Sequence, residues 1–338
     1  MKALFTLIIV CCFSAAAWCQ QRAQFSQYMQ NNYLINPAVA GIESYADIRL
    51  GYRTQWTGVE GAPNTFYASA HTALNKNDRN ALPHRLLNGK FVKPKTNANR
   101  NNRFHVSPHH GIGAIAQIDQ AGLLRMSSLN LSYAYHLPLT KNINLSSGIY
   151  SGLMQMNINR EGAMMQTPDD PFLYAEGANM LKLDLGVGLW LYGPNFFVGL
   201  SGAQLVKSGN DVYALGDGPR ATMQPHYFAT SGYRINVLDN LTFTPSVLVK
   251  LAPSTGLTAL DFNLKTMYLQ RFWAGLSYRQ KDAAAVMAGI HISHLLDISY
   301  SYDFATSDMS KVNANSQEVV IGFKLNNPSK VICPKWIW

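Results

Sequence analysis

The sequence predicts an all-β fold, a transmembrane antiparallel β-barrel of about fourteen strands. Apolar and polar residues alternate along most of the chain after residue 43, which is the period of a strand with two different faces. Only 14% of the residues are charged, whereas a soluble domain usually carries nearer a quarter. After the first few residues no apolar run is long enough to cross a bilayer as a helix, so strands are the expected membrane-spanning elements.

The first residues predict export. Met1 and Lys2 are followed by an apolar stretch at 3–13 that is too short to span a bilayer, which is typical of a secretory signal peptide. Ala17 and Cys19 are small residues at the −3 and −1 positions of a cleavage site, so we expect a signal peptide at 1–19. Lipoprotein processing at Cys19 is the alternative, but Trp18 stands where a small residue is expected. Cys333 is then the one cysteine of the mature chain, which excludes an internal disulfide.

The alternation is clearest at 181–192. Apolar residues such as Leu183 and Leu185 fall on one face, and Lys182 and Asp184 fall on the other. The same pattern returns at 296–304 and 319–325. Applied to the whole chain, it predicts strands at 44–53, 64–73, 109–120, 123–136, 143–156, 181–193, 195–206, 222–235, 239–251, 256–267, 269–280, 283–292, 294–304 and 317–325.

The connections between these strands predict how the chain is oriented. Outer-membrane barrels have short periplasmic turns and longer outer loops. With the amino end in the periplasm, the turns after even-numbered strands are short, and the connections at 157–180, 207–221 and 305–316 are long. The expected organisation is an N-terminal periplasmic segment at 20–43, a barrel at 44–325 in the bacterial outer membrane, and a C-terminal tail at 326–338.

One connection breaks the pattern, the insertion at 74–108. It contains eight basic residues and one acidic residue, a net +7 out of +9 for the whole chain. Two interpretations stay open: a docking site for a periplasmic partner or for lipid headgroups, and a tolerated irregular loop. The candidate partner-binding residues are Lys76, Arg79, Arg85, Lys90, Lys93, Lys95, Arg100 and Arg103.

The predicted inner face carries charges of both signs. Such paired charges favour a packed lumen over a conduction path. We also expect Trp56, in the first outer loop, to fold back into the barrel mouth. The inward polar residues are Lys182, Asp184, Asp261, Asn263, Lys265, Arg279, Asp297 and Asp303.

A soluble β-sandwich would also show alternating strands. The missing disulfides, the uniform strand length and the aromatic residues near strand ends favour the membrane barrel instead. Those aromatic residues are Tyr52, Tyr192, Phe196, Tyr233, Phe272, Tyr302 and Phe304.

Three stretches of the sequence resemble the PorP/SprF family of type IX secretion system outer-membrane proteins. They are the QFSQYM and NPAVAG segments within 24–41, the YRTQWTGVEGAPNT segment at 52–65, and YAYHLPL at 133–139. The insertion at 74–108 and the tail at 329–338 depart from the family pattern. The motif residues are Gln24, Phe25, Ser26, Gln27, Tyr28, Asn36, Pro37, Gly41, Tyr52, Arg53, Gln55, Trp56, Gly58, Gly61 and Pro63.

The resemblance implies a non-enzymatic component of type IX protein secretion and of gliding motility. Its implied partners are periplasmic lipoprotein and peptidoglycan-bound subunits, and for some members a secreted cargo or adhesin with a C-terminal secretion signal. The alternative function is a passive or fatty-acid-type outer-membrane transport channel. An outer-membrane lipid hydrolase is the more distant alternative, for which no nucleophile or base can be placed.

The sequence contains no motif of a metalloprotease, a phosphate-binding loop, a calcium-binding hand or a nucleophile elbow. His109 and His110 are adjacent, but neighbouring residues of a strand point to opposite faces, so a shared metal site is not expected. We expect no cofactor, no metal, no nucleic-acid partner and no catalytic activity.

Overall fold

The computed structural model describes residues 23–76, 86–87, 90–91, 107–158, 179–206, 224–238, 240–252, 257–280, 282–307, 315–327 and 331–333. The signal peptide predicted at 1–19 lies outside these residues. The strands are β1 Ala46–Thr54, β2 Asn64–Leu74, β3 Leu86–Leu87, β4 Lys90–Phe91, β5 His109–Ala121, β6 Leu124–Pro138, β7 Asn144–Ile158, β8 Asn179–Tyr192, β9 Phe196–Ala203, β10 His226–Tyr233, β11 Ile235–Leu238, β12 Leu241–Ala252, β13 Leu257–Tyr268, β14 Phe272–Arg279, β15 Ala283–His291, β16 Leu296–Ala305 and β17 Ser316–Leu325.

These strands form a closed antiparallel barrel. Consecutive strands of the barrel are paired, with β2 paired to β5 past the separate β3–β4 pair. β1 pairs with β17, and β10 pairs with both β9 and β12, so the ring has no gap. Because β10 and β11 are one strand interrupted at Arg234, the barrel has fourteen strands; β3 and β4 form a separate small pair. The predicted fourteen-stranded barrel is confirmed, and the ends of its strands differ from the prediction by at most four residues.

The two faces of the wall differ as predicted. Outward residues such as Leu131 and Ile149 are 63% and 59% exposed, whereas inward Lys182 and Asp184 are buried. A soluble sandwich would bury the apolar face between two sheets, so this arrangement excludes it. Most of the predicted interface aromatics are at least partly exposed, but Tyr192 was wrongly assigned, because its side chain points inward and its hydroxyl contacts His136.

Inward aromatic rings lie over inward glycines of the neighbouring strand. A Cβ atom at Gly51 would lie 2.1 Å from the ring of Tyr67, which is its direct cross-strand partner. The ring therefore lies flat against the wall and leaves the centre of the lumen free for other residues. The other such pairs are Tyr150 over Gly186, Trp190 over Gly199, Phe197 over Gly232 and Trp273 over Gly289.

The centre of the lumen is filled by residues 23–45, which we call the plug. It contains three short 3-10 helices, η1 Ser26–Gln30, η2 Asn32–Leu34 and η3 Pro37–Val39, and all their residues are buried. The expectation of a separate periplasmic segment at 20–43 is corrected here: the described part of this segment packs against the inner wall. The sequence motif showed no strand period, so it could not reveal this location.

The plug runs along the barrel from one end to the other. The turn end carries the short connections at 139–143, 193–195, 269–271 and 292–295, and the opposite end is the loop end. Ser26 contacts residues near the loop end, whereas Gly41 contacts His71 near the turn end. The chain then enters β1 at the turn end. The connections predicted to be long fall largely at 159–178, 207–223 and 308–314, outside the described residues.

The described residues contain no helix that is both long and apolar enough to cross a membrane. Of the basic insertion at 74–108, the structure describes 74–76, 86–87, 90–91 and 107–108. This insertion connects β2 to β5 at the turn end, as the predicted order of strands requires.

Candidate functional site in the barrel lumen

A buried ion-pair cluster holds the start of the plug. The Arg53 guanidinium lies 2.7 Å from the Asp303 carboxylate and 3.3 Å from that of Glu318. It also donates to the Ser26 hydroxyl at 2.7 Å, and that hydroxyl donates in turn to Asp303. The Ser26 amide and the Gln27 side chain both donate to Glu318. Charges buried in this way are stable only when each has its partners, so plug and wall complete one network.

A second cluster lies nearer the turn end. Arg49 contacts Asp47 at 3.0 Å and Asp297 at 3.6 Å, and Lys324 contacts Asp297 at 3.3 Å. The Lys324 ammonium also donates to the carbonyl of Ile332, so the tail folds back towards the lumen. These contacts agree with the prediction that paired inner charges belong to a packed lumen.

Three inward glycines form a trough for the second half of the plug. At Gly111, an added Cβ atom would lie 1.9 Å from the Ala40 carbonyl oxygen. At Gly148 it would lie 2.5 Å from the Ala38 nitrogen, and at Gly188 it would lie 2.0 Å from the Asn36 side chain. A larger side chain would therefore collide with the plug backbone at Gly111 and Gly148, and with the Asn36 side chain at Gly188. Glycine at these positions of β5, β7 and β8 lets the plug lie directly on the wall.

Asn36 fixes the position of η3 in this trough. Its Oδ1 accepts from the Ala38 amide at 3.0 Å, which caps the helix, and its Nδ2 donates to the carbonyls of Leu189 and Leu200 at 3.0 and 3.1 Å. One side chain thus caps the helix and binds β8 and β9 at once. Pro37 at the first helical position suits this start.

Three histidines surround the Ala40–Gly41 peptide. His136 Nε2 lies 2.7 Å from the Ala40 carbonyl, and His109 Nε2 lies 3.0 Å from the Gly41 carbonyl. The rings of His109 and His136 are stacked with centroids 4.3 Å apart. The Gly41 amide donates to His71 Nδ1 at 3.2 Å. Gly41 has φ +75°, a left-handed conformation that glycine adopts readily, so the bend between plug and wall depends on it.

His109 and His110 point to opposite faces, as predicted. His109 is buried in the lumen, whereas His110 lies among Tyr133 and Tyr135 on the outer face. Within the part of the chain that the structure describes, no group of three or more His, Cys, Asp or Glu side chains is arranged to hold a metal ion. The three inward histidines bind the plug backbone.

Plug tyrosines bury their hydroxyl groups. The Tyr33 hydroxyl lies 2.5 Å from that of Ser132. Burial raises the pKa of Tyr33 to about 12, and this hydrogen bond lowers it by a smaller amount. Burial also raises the pKa of Tyr28 well above its ordinary value; its hydroxyl accepts from Asn263. Both phenols therefore stay neutral at physiological pH.

A cavity of about 280 Å³ remains at the loop end, above the plug. Its wall is mixed: Met126, Met154 and Met156 supply apolar surface. The charged lining residues are of both signs, namely Arg53, Arg279, Asp119, Asp184, Asp282 and Asp303. Trp56 is half-buried and lines the cavity, so the predicted folding back of this side chain is confirmed. Both the wall and the first plug residues contribute to this mouth.

Most motif residues meet in this lumen. The plug motif and Arg53 share the first ion cluster, and Gln24, Gln55, Trp56 and Pro63 line the mouth cavity. Gly58 and Gly61 lie in the exposed 55–63 loop, and Tyr52 faces outward. The sequence analysis missed both the glycine trough and the inward histidines. Small residues that recur on the polar face of neighbouring strands were a signal for the trough.

The candidate partner-binding residues are described only in part. Lys76 donates to the carbonyl of Ile42, at the end of the plug. Lys90 belongs to β4, and the other six basic residues of that set lie outside the described residues. The insertion and the plug therefore meet at the turn end through Lys76.

Residues 18–323 match the family of type IX secretion system membrane proteins PorP/SprF. The chain belongs to the PorP/SprF family. It is an outer-membrane β-barrel protein and a component of the type IX secretion system. The match begins just before the plug and ends within β17, so it includes the motif residues of the lumen and the barrel.

Solved structures similar to this PorP/SprF protein include two transporters. The toluene transporter TbuX of Ralstonia pickettii is 12% identical over 88% of this chain and 93% of that chain, with a TM-score of 0.49. The toluene transporter TodX of Pseudomonas putida is 10% identical over 93% and 98%, with a TM-score of 0.46. No curated protein matches the sequence.

Proposed function

We propose that this PorP/SprF protein is a closed docking component of the type IX secretion machinery, without catalytic activity of its own. The observation that carries the proposal is the plug: residues 23–45 fill the lumen and complete its buried ion pairs. A pore for free diffusion would keep its polar lining hydrated and unobstructed. A barrel with an occupied lumen offers its two ends for binding.

The turn end is the proposed periplasmic docking site. The insertion at 74–108 carries a net +7, which suits partners with acidic surfaces. Lys76 ties the start of this insertion to the plug through Ile42. We expect periplasmic lipoprotein and peptidoglycan-bound subunits of the secretion and gliding machinery to bind here.

The loop end is the proposed site for a secreted cargo or adhesin with a C-terminal secretion signal. Its mouth cavity combines methionine side chains, which adapt to different apolar partners, with guanidinium and carboxylate groups that can form charge-assisted hydrogen bonds. Such a surface suits a protein segment better than a hydrated ion. A passive or fatty-acid-type channel remains the second candidate function, since the same cavity is partly apolar.

Affinity purification from the native outer membrane, followed by mass spectrometry, tests the proposal. We expect the tagged wild-type chain to recover periplasmic subunits and one or more secreted proteins. A variant lacking 78–104 should lose the periplasmic subunits and keep the secreted protein, because the two sites lie at opposite ends.

A second variant in which the basic residues of 78–104 become glutamine separates charge from loop length. It should behave like the deletion if electrostatics dominates. Normal secretion together with undiminished recovery of partners from both variants would refute docking by the insertion.

A further inference from the structure

Lys265 is a buried ammonium group without a carboxylate partner. It lies on the inward face of β13 and is only 4% exposed. Within the described residues its Nζ atom is paired with no Asp or Glu side chain, whereas Lys250 lies 2.7 Å from Asp261. Lys265 donates to the Gln30 side-chain oxygen at 3.2 Å and lies 5.6 Å from the Trp273 ring. A neutral amide and an aromatic face compensate a buried charge only in part.

The surrounding charges do not supply the missing partner. Arg234 and Arg49 are close enough to repel Lys265, and Asp297 is close enough to attract it. However, Asp297 already pairs with Arg49 and Lys324. The Cys333 thiol is the other nearby acidic group, and it is close enough to interact electrostatically with Lys265. A further negative charge in this region would stabilise the charged form of Lys265.

A small cavity of about 10 Å³ lies beside Lys265, between the plug and the wall. The hydroxyl-bearing side chains of Thr230, Thr244 and Ser246 line it from β10 and β12, and Tyr28 lines it from the plug. This space is of the size that holds a single water-sized species. Met29 and Lys265 also line it, and both have flexible side chains that can adjust to a slightly larger ion.

Donor groups at or beside this cavity still need acceptors, although the Thr230 hydroxyl already donates to the Val247 carbonyl. The Tyr28 hydroxyl accepts from Asn263, which leaves its own proton for another acceptor. The Gln30 Nε2 group, next to Lys265, is buried without a hydrogen-bond partner. Lys265 itself has three N–H groups and one acceptor among the described residues. An occupant that accepts hydrogen bonds and carries negative charge suits these donors.

We propose that this cavity is a binding site for one small monovalent anion, with chloride as the occupant and Lys265 as its cationic ligand. Residues of the plug and of the wall both line the site, so a bound anion holds the two together. Anion binding then adds to plug docking, independently of which secretion partners the barrel binds.

Thermal unfolding of the full chain in detergent tests the site. We expect the wild-type midpoint to be higher in sodium chloride than in sodium gluconate of equal ionic strength, by about 2 to 4 °C. Lys265→Met should abolish this difference. Lys182→Met is the matched control, because Lys182 is an equally buried inward lysine on β8, and it should keep the difference.

A bromide-soaked crystal of the wild type tests the site without any variant. We expect an anomalous peak in the cavity within contact distance of Lys265 Nζ. A cavity that contains only an uncharged water, with no bromide peak, overturns the proposal. Equal midpoints in the two salts, or a chloride effect that persists in Lys265→Met, overturn it as well.

Discussion

At the scale of single residues, Arg53 connects the plug to two strands of the wall. It belongs to β1, yet it binds Ser26 of the plug, Asp303 of β16 and Glu318 of β17. The two carboxylates are almost fully buried and depend on it for charge compensation. The sequence resemblance identified Arg53 as a motif residue, but its carboxylate partners lie 250 and 265 residues away along the chain, beyond the reach of any local pattern.

Replacing Arg53 with methionine should therefore be costly. Arg53→Met keeps much of the side-chain length and leaves Asp303 and Glu318 buried without a cation, so we expect the free energy of unfolding to fall by about 3 to 5 kcal/mol. Urea unfolding in detergent micelles measures it. Arg125→Met, an exposed arginine near the same end, should change it by less than about 0.5 kcal/mol. A loss below about 1 kcal/mol for Arg53→Met would contradict the assigned role.

At the scale of elements, the plug and the glycine trough are matched surfaces. The plug has no regular helix long enough to be stable alone, and its 3-10 turns depend on contacts with the wall. Those contacts need the plug backbone to touch the backbone of β5 and β7, and the Asn36 side chain to touch that of β8. The strands were predictable because each has one face towards lipid, which gives its sequence a period of two. The surroundings of the plug do not repeat along the chain, so its sequence has no such period.

Adding one methyl group at Gly148 should release the second half of the plug. Gly148→Ala places a carbon 2.5 Å from the Ala38 nitrogen, and overpacking of this kind costs about 1 to 3 kcal/mol. We expect the amides of 34–42 to exchange hydrogen about 10- to 100-fold faster, as followed by mass spectrometry.

Gly275→Ala is the control for this experiment. Its added methyl would meet its nearest neighbour, the Met287 side chain, at an ordinary 3.4 Å. We expect the amides of 34–42 in Gly275→Ala to exchange hydrogen at the wild-type rate. If Gly148→Ala also left those amides unchanged, the trough would not be what positions the plug.

At the scale of the whole molecule, the barrel is a closed wall around an ordered interior. Its outer surface is suited to lipid and its inner surface to the plug, so plug docking is coupled to the charge pairs of the lumen. A barrel with its plug in place should pass few ions.

Planar-bilayer recordings test this expectation. The wild-type chain should show no steady porin-like steps, because residues 23–45 fill the lumen. A variant without 23–41 should show large, stable steps, while a variant without 78–104 should resemble the wild type. Equal conductance of the wild type and the plug deletion would mean that ions bypass the plug, and would favour the transport function.

The sequence by itself determined the barrel: the number of strands, their order and, for the clearest strands, which face meets lipid. This was possible because lipid is a uniform surrounding, so every spanning strand obeys the same period of two. Only the tertiary structure decided where the motif at 24–41 lies and what it binds. Its partners, such as Asp303 and the trough glycines, come from strands far apart in sequence, and only closure of the barrel brings them around one segment.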